Sequence, residues 1–136
     1  MSQYLPYFDF IIHYLEEGNE SITTAFEKNV HWGYWDNPKD AQSSAEDFSK
    51  AGERLIQKIG KAALVENGQS LLDAGCGFGG TIYYLNKKFS NMNLVGINID
   101  ERQLLRAENN VIAQNNNTIS FEKEDACKLP FSENTF

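Results

Sequence analysis

The sequence predicts an α/β fold: the N-terminal half of a doubly wound parallel sheet, preceded by an α-helical segment. Three observations predict it. "SLLDAG", "NLVGIN" and "TISFEKED" are short apolar or alternating runs, and each reads as a strand. Stretches of helical period separate them. The first run also enters a turn with four glycines, Gly75, Gly77, Gly79 and Gly80. Strand starts spaced by about twenty-five residues leave room for the right-handed crossover helix that parallel neighbours require.

The elements follow in order. The N-terminal region is rich in aromatic residues (Tyr4, Tyr7, Phe8, Phe10, Tyr14, Phe26, Trp32, Tyr34, Trp35), which predicts short helices and an irregular turn around "HWGYWDNP". A longer helix follows, capped by Ser44 with Asp47 in a near capping box. Phe48, Ala51, Leu55, Ile59 and Ala62 recur at helical spacing and predict one buried stripe. "ENGQS" ends that helix. "SLLDAG" is expected to be a buried strand, and "GTIYYLNKKF" a helix with Ile82, Leu85 and Phe89 on one face. "NLVGIN" is the second strand. "DERQLLRAENNVIAQ" is the second crossover helix, capped by Asp100 with Gln103 as box partner. Leu104, Leu105, Val111 and Ile112 are its expected buried face. "QNNNT" reads as a loop, and "TISFEKED" as a third strand with Ile119 and Phe121 inward. This divides the chain into a helical cap segment, residues 1–65, and a sheet domain, residues 66–136.

Composition narrows the function. A chain of 136 residues suffices for one domain. A net charge of -7 argues against a nucleic-acid partner, which needs clustered Lys and Arg, and against docking on an anionic membrane. No apolar run reaches the ~20 residues of a membrane span. The stretch "MSQYLPYFDFIIHYLEEG" lacks the basic start and the cleavage site of a signal peptide. Cys76 and Cys127 form no disulfide framework and read as reduced thiols of a cytoplasmic protein. His13 and His31 stand far apart with no Cys at ligand spacing, so no metal site is expected. Neither is placed as a general base, and no catalytic residue can be named.

The glycine turn carries the chemistry. Glycine between a strand and a helix permits positive φ and close approach of a ligand to the backbone and the helix N-terminus. Gly75, Gly77 and Gly80 also satisfy G-x-G-x-x-G, so an NAD-binding domain is one alternative. Two acids point elsewhere. Asp73, two residues before the first glycine, would repel a pyrophosphate but suits an ammonium or sulfonium charge. Asp125, after the third strand, would lie at the same sheet edge, where it could accept a hydrogen bond from an adenine amino group.

These segments together resemble a known family. "LLDAGCGFGG" is similar to the D-x-G-x-G-x-G motif of class I S-adenosylmethionine-dependent methyltransferases, whose fold is Rossmann-like. "LVGINIDERQLLRAE" resembles their second strand and following helix, and "FEKEDACKLPFSENTF" their third strand and the segment after it. "HWGYWDNP" before a long helix resembles the small-molecule subgroup of ubiquinone, tocopherol and natural-product type.

The resemblance implies roles. Gly75, Cys76, Gly77 and Gly79 would line the methionine part of S-adenosyl-L-methionine, or of the product S-adenosyl-L-homocysteine, with Asp73 on the ammonium side. Asn98 stands where many members carry the acid that grips the ribose hydroxyls, followed by Ile99, with Gln103 able to help from the helix. Asp125 and Ala126 would flank the adenine, and Tyr34, with Trp32 beside it, would close over the methionine end. The plainer readings stay open: Asn98 as a strand-end residue, Gln103 as a cap partner, and Trp32, Tyr34 and Trp35 as packing. The implied reaction is methyl transfer to a small-molecule acceptor, this chain supplying the cofactor-binding half. The alternative is a non-catalytic, methyltransferase-like binding or assembly module. Family members continue beyond the third strand into a fourth that pairs with the first. Self-association, or another chain, is therefore expected to complete the sheet.

Overall fold

The computed structural model describes residues 5–136, so Tyr4 lies outside the described residues. The chain forms two compact units that divide between Ile59 and Gly60.

The N-terminal unit holds α1 (Pro6–Glu16), α2 (Glu20–Phe26) and most of α3 (Ala45–Ala62). Proline near the start of α1 costs no hydrogen bond, because the first helical N–H groups have no acceptor within the helix. Asn19 caps α2 by accepting from Ile22 N at 3.0 Å. Ser44 Oγ accepts from Asp47 N at 3.2 Å, the expected cap of α3. The buried face of α3 differs from the expected stripe. Ala51, Gly52 and Ile56 are buried, whereas Ile59 is 50% exposed and Ala62 lies outside the core. The cause is the segment leading into "HWGYW". A Cβ on Gly52 would sit 2.8 Å from Asn29 Oδ1, so the missing side chain is what admits that segment. Tyr34 N donates to Ala51 O at 3.0 Å, and Arg54 Nε donates to Tyr34 O at 3.0 Å. Trp35 Nε1 donates to Asp47 Oδ2 at 2.8 Å.

The second unit is the sheet. Strands β1 (Ser70–Ala74), β2 (Asn93–Asn98) and β3 (Thr118–Lys123) pair in parallel in the order β1-β2-β3. Helices α4 (Gly80–Lys88) and α5 (Glu101–Asn110) are the crossovers. Asp73 stands opposite Gly96, and Gly96 opposite Phe121. The core is Ile82, Leu85, Met92, Leu94 and Val111, with Leu71, Phe89, Ile119 and Phe121 packed against it. The expectation of a buried first strand needs correction. Among the described residues β1 has β2 as its only neighbour; Leu71, Leu72 and Asp73 are partly buried, and Ser70 and Ala74 are exposed.

The second correction concerns α5. It ends at Asn110, short of the expected Gln114, so Val111 is buried beyond the helix while Leu105 and Ile112 face outward. The competing partner is Asn86, buried on α4. Its Nδ2 donates to Ile112 O at 2.8 Å, and its Oδ1 accepts from Gln114 N at 2.9 Å. Asn117 completes a clasp. Its Nδ2 donates to Asn86 O and Phe89 O, each at 3.0 Å, and its Oδ1 accepts from Met92 N at 2.8 Å. The polar tract "QNNNT" is thus a loop whose last asparagine is buried, capping the C-terminal carbonyls of α4. Replacing Asn117 with Ala strands buried donors and acceptors. We expect a loss of about 2–4 kcal/mol, read as a lower urea midpoint at unchanged m-value.

Candidate functional site

The carboxyl ends of the three strands are tied side by side. Ile97 O accepts two amides, Gly75 N at 2.8 Å and Cys76 N at 2.9 Å. Glu124 N donates to Asn98 O at 3.2 Å. These bonds place the glycine turn, the β2–α5 junction and the segment after β3 on one edge of the sheet, where open parallel sheets hold ligands.

Glycines in the turn have two different causes. Gly75, Gly77 and Gly79 all have left-handed φ, +86°, +56° and +80°. A Cβ on Gly79 would lie 3.0 Å from Ala107 Cβ and 3.2 Å from both Phe121 Cζ and Val111 Cγ2. Packing at the start of α4 therefore accounts for Gly79. Gly75 is exposed, and an added Cβ there would meet no described atom within 4 Å. Its backbone faces open space. Cys76, between them, is buried, and burial pushes its thiol up to about 12, with the nearby Asp73 charge adding to the shift.

Asp73 is the electrostatic anomaly of this edge. Its Oδ2 is shut off from solvent and has no hydrogen-bond partner among the described residues. The Thr81 hydroxyl donates to the same carboxylate from the first turn of α4. Burial raises the carboxyl pKa from its ordinary 3.8 to about 6, and the Thr81 bond offsets part of that rise. Nothing in the sequence pattern marks Thr81. The available signal is a hydroxyl in the first turn of the helix that follows the acid and its glycines.

At the end of β2 the side chains form a closed ring of bonds. Asn98 Oδ1 accepts from Asp100 N at 3.2 Å, and its Nδ2 donates to Gln103 Oε1 at 3.3 Å. Gln103, buried, donates from Nε2 to Asp100 Oδ2 at 3.4 Å. Arg102 grips Asp100 through Nε at 3.0 Å and Nη2 at 2.7 Å, which holds the Asp100 carboxyl below its usual range. Asp100 caps α5 as expected, accepting from Arg102 N at 3.0 Å. Ile99 is exposed beside this ring. After β3, Asp125 Oδ1 accepts from Cys127 N at 2.8 Å in a turn whose Asp125, Ala126 and Cys127 are all exposed.

Tyr34 belongs to the N-terminal unit. Its hydroxyl donates to Asp36 Oδ1 at 3.2 Å, and the Lys58 ammonium lies 4.3 Å from its ring centroid. His31 in the same unit is partly buried, which lowers its pKa below the ordinary value. Among the described residues no cluster of His, Cys, Asp and Glu could hold a metal ion, and no helix is long and apolar enough to cross a membrane.

The arrangement is chemically specific. A buried carboxylate oxygen lacking a donor, next to an open stretch of backbone at a strand-to-helix turn, suits a ligand with an ammonium group and a thin body. Comparison with known proteins agrees. Residues 71–136 match the methyltransferase domain family. The methyltransferase GfsG of Streptomyces halstedii is 32% identical over 90% of this chain, which spans 43% of that protein. The 27-O-demethylrifamycin SV methyltransferase of Amycolatopsis mediterranei is 31% identical over 80% of the chain, which spans 38% of it. Among solved structures, the [4+2]-cyclase SpnF superposes with a TM-score of 0.73 at 22% identity, over 96% of this chain and 44% of that one. The fold is therefore the N-terminal half of a Rossmann-like methyltransferase fold, and residues 71–136 carry the match to the methyltransferase domain. The chain spans less than half the length of these relatives.

The raised carboxyl fixes the sign of a pH effect. The folded chain holds the Asp73 proton more tightly than the unfolded chain does. The corresponding stability is fully present below about pH 4 and lost as pH rises through about 6, a change of about 3 kcal/mol. Asp73→Asn should remove this slope and raise stability at pH 8 by up to about 3 kcal/mol, measured by urea unfolding across that pH range.

Proposed function

We propose that this chain binds S-adenosyl-L-methionine at the carboxyl edge of its sheet and supplies the cofactor-binding part of an enzyme that methylates a small molecule. The observation that carries this reading is the partnerless Asp73 Oδ2 beside the open backbone of Gly75. The ligand's ammonium would give that oxygen its missing donor. Gly75, Cys76, Gly77 and Gly79 would shape the turn around the methionine part, Asn98 and Ile99 would meet the ribose with Gln103 holding Asn98 from within, and Asp125 with Ala126 would meet the adenine. When bound, the cofactor supplies a methyl group on a sulfonium centre. The chain's own contribution is position: it fixes where that methyl faces, and in-line approach is the main demand of such a transfer. No residue here is assigned as a catalytic base.

Names of the relatives support a small-molecule acceptor, since one is called a demethylrifamycin methyltransferase and another a cycloartenol methyltransferase from Oryza sativa. Under this reading residues 66–136 are the cofactor domain and residues 1–65 a cap segment. Two unpaired thiols suit a reducing, cytoplasmic location. The edge of β1 that is unpaired among the described residues is assigned to a further strand, from a second copy or another chain. A pyrophosphate is disfavoured, because the Asp73 charge would face it.

Calorimetric titration tests the reading. S-adenosyl-L-homocysteine should bind saturably and NAD should not. Asp73→Asn should weaken that binding about tenfold while stabilising the unliganded chain, opposite signs that a merely structural carboxylate would not produce. A folded chain that binds neither ligand would overturn it. Sedimentation velocity should show dimers that dissociate on dilution, and a monomer at every concentration would remove the assignment of the β1 edge.

A further inference from the structure

Trp32 is the outlier of the N-terminal unit. Its neighbours in "HWGYW" are fixed: Trp35 by Asp47, and Tyr34 by Ala51, Arg54 and Asp36. Gly33 carries no side chain because a Cβ there would collide with the Trp35 ring and approach Ala51 Cβ at 2.9 Å. The backbone on both sides of position 32 is therefore held. Yet Trp32 itself is 72% exposed. Tyr7 of α1 lies nearly parallel to it, with ring centroids 6.0 Å apart. Phe10, one helical turn from Tyr7, is 53% exposed, and its ring lies 4.6 Å from Tyr14. Tyr7, Phe10 and Tyr14 follow the i, i+3, i+7 spacing of a single helix face. Ile12 is buried on the other side of α1, and Ile11, four residues after Tyr7, is buried between the two sides. The helix is thus apolar on two faces, and the structure buries one of them.

Charge decides what suits the second face. Residues 5–27 contain five carboxylates, Asp9, Glu16, Glu17, Glu20 and Glu27, and no Lys or Arg. Glu17, 3.5 Å from His13 Nε2, lies one further step along the Tyr7–Phe10–Tyr14 face, three residues after Tyr14. A second copy of this acidic unit, a nucleic acid or an anionic bilayer would meet like charge. An apolar cation would meet ring faces and negative potential together. The same unit already holds one ammonium in this manner: Lys58 Nζ lies 4.3 Å from the Tyr34 ring centroid and 3.7 Å from Asp36 Oδ1.

We infer that Trp32, Tyr7 and Phe10 form a binding site for an apolar amine or quaternary ammonium compound. The site stands independently of the proposed cofactor edge. The full chain is titrated with benzyltrimethylammonium and, separately, with neopentylbenzene, its neutral isostere, by tryptophan fluorescence and by calorimetry. We expect saturable binding of the cation, at least fivefold tighter than the neutral compound. Trp32→Ala should weaken it about tenfold and abolish the fluorescence change, while circular dichroism stays unchanged because the side chain is exposed. Trp32→Phe should recover part of the affinity. Equal binding of the neutral compound, no saturable binding, or full affinity in Trp32→Ala would each overturn the inference. Titration with S-adenosyl-L-homocysteine in parallel separates the two sites: its failure bears on the sheet edge alone.

Discussion

One carbonyl oxygen governs the sheet edge. Ile97 O receives both Gly75 N and Cys76 N, so the chain leaving β1 is bent across the end of β2 at two successive residues. Successive amides aimed at one acceptor demand an unusual backbone path, and Gly75 provides it at φ +86°. The bend carries Cys76 and Phe78 into the core and starts α4 from Gly79 in the left-handed region. Asp73, the fourth residue of β1, is left at the inside of the bend with one oxygen unpartnered. The strand end, the helix start and the electrostatic anomaly therefore share one cause.

Glycines in this edge illustrate how one residue type serves separate ends. Gly96, in the middle of β2, has no positive φ, yet a Cβ there would lie 2.7 Å from Phe121 Cδ1 and 3.1 Å from Cys76 Cβ. Gly96 and Gly79 make room for the same aromatic ring, that of Phe121. Phe121 locks β3 against β2 and α4 together, which lets the short β1–β2–β3 sheet hold its register. Gly75 alone opens outward. A family motif written as evenly spaced glycines thus combines a packing requirement and a surface requirement, and only coordinates separate the two.

Much of the fold was legible from period alone. The strands over 70–74, 93–98 and 118–123 and the crossover helices follow from apolar runs and caps, because those signals are local. Two of the differences, at the end of α5 and on the face of α3, originate in long-range polar contacts. Asn86 and Asn117, 31 residues apart, end α5 early, and no local pattern announces a side chain that competes for the carbonyl of Ile112. Asn29 against Gly52 shifts the buried face of α3 in the same manner. The structure has Asp73 in β1, Asn98 at the end of β2, Gln103 in the first turn of α5 and Asp125 just past β3; their roles toward a ligand are part of the proposal. The sequence did not reveal the inward ring linking Asn98, Asp100 and Gln103, nor the Thr81 hydroxyl, because hydrogen-bond direction is not encoded in spacing.

The two thiols have sharply different surroundings. Cys76 is buried with a thiol pushed up to about 12, which leaves essentially no thiolate at neutral pH, whereas Cys127 is exposed two residues beyond Asp125. Electrophilic labels will therefore discriminate between them without removal of either cysteine. A single fluorophore or spin label attached by ordinary thiol chemistry would report from the rim of the sheet, in the natural sequence.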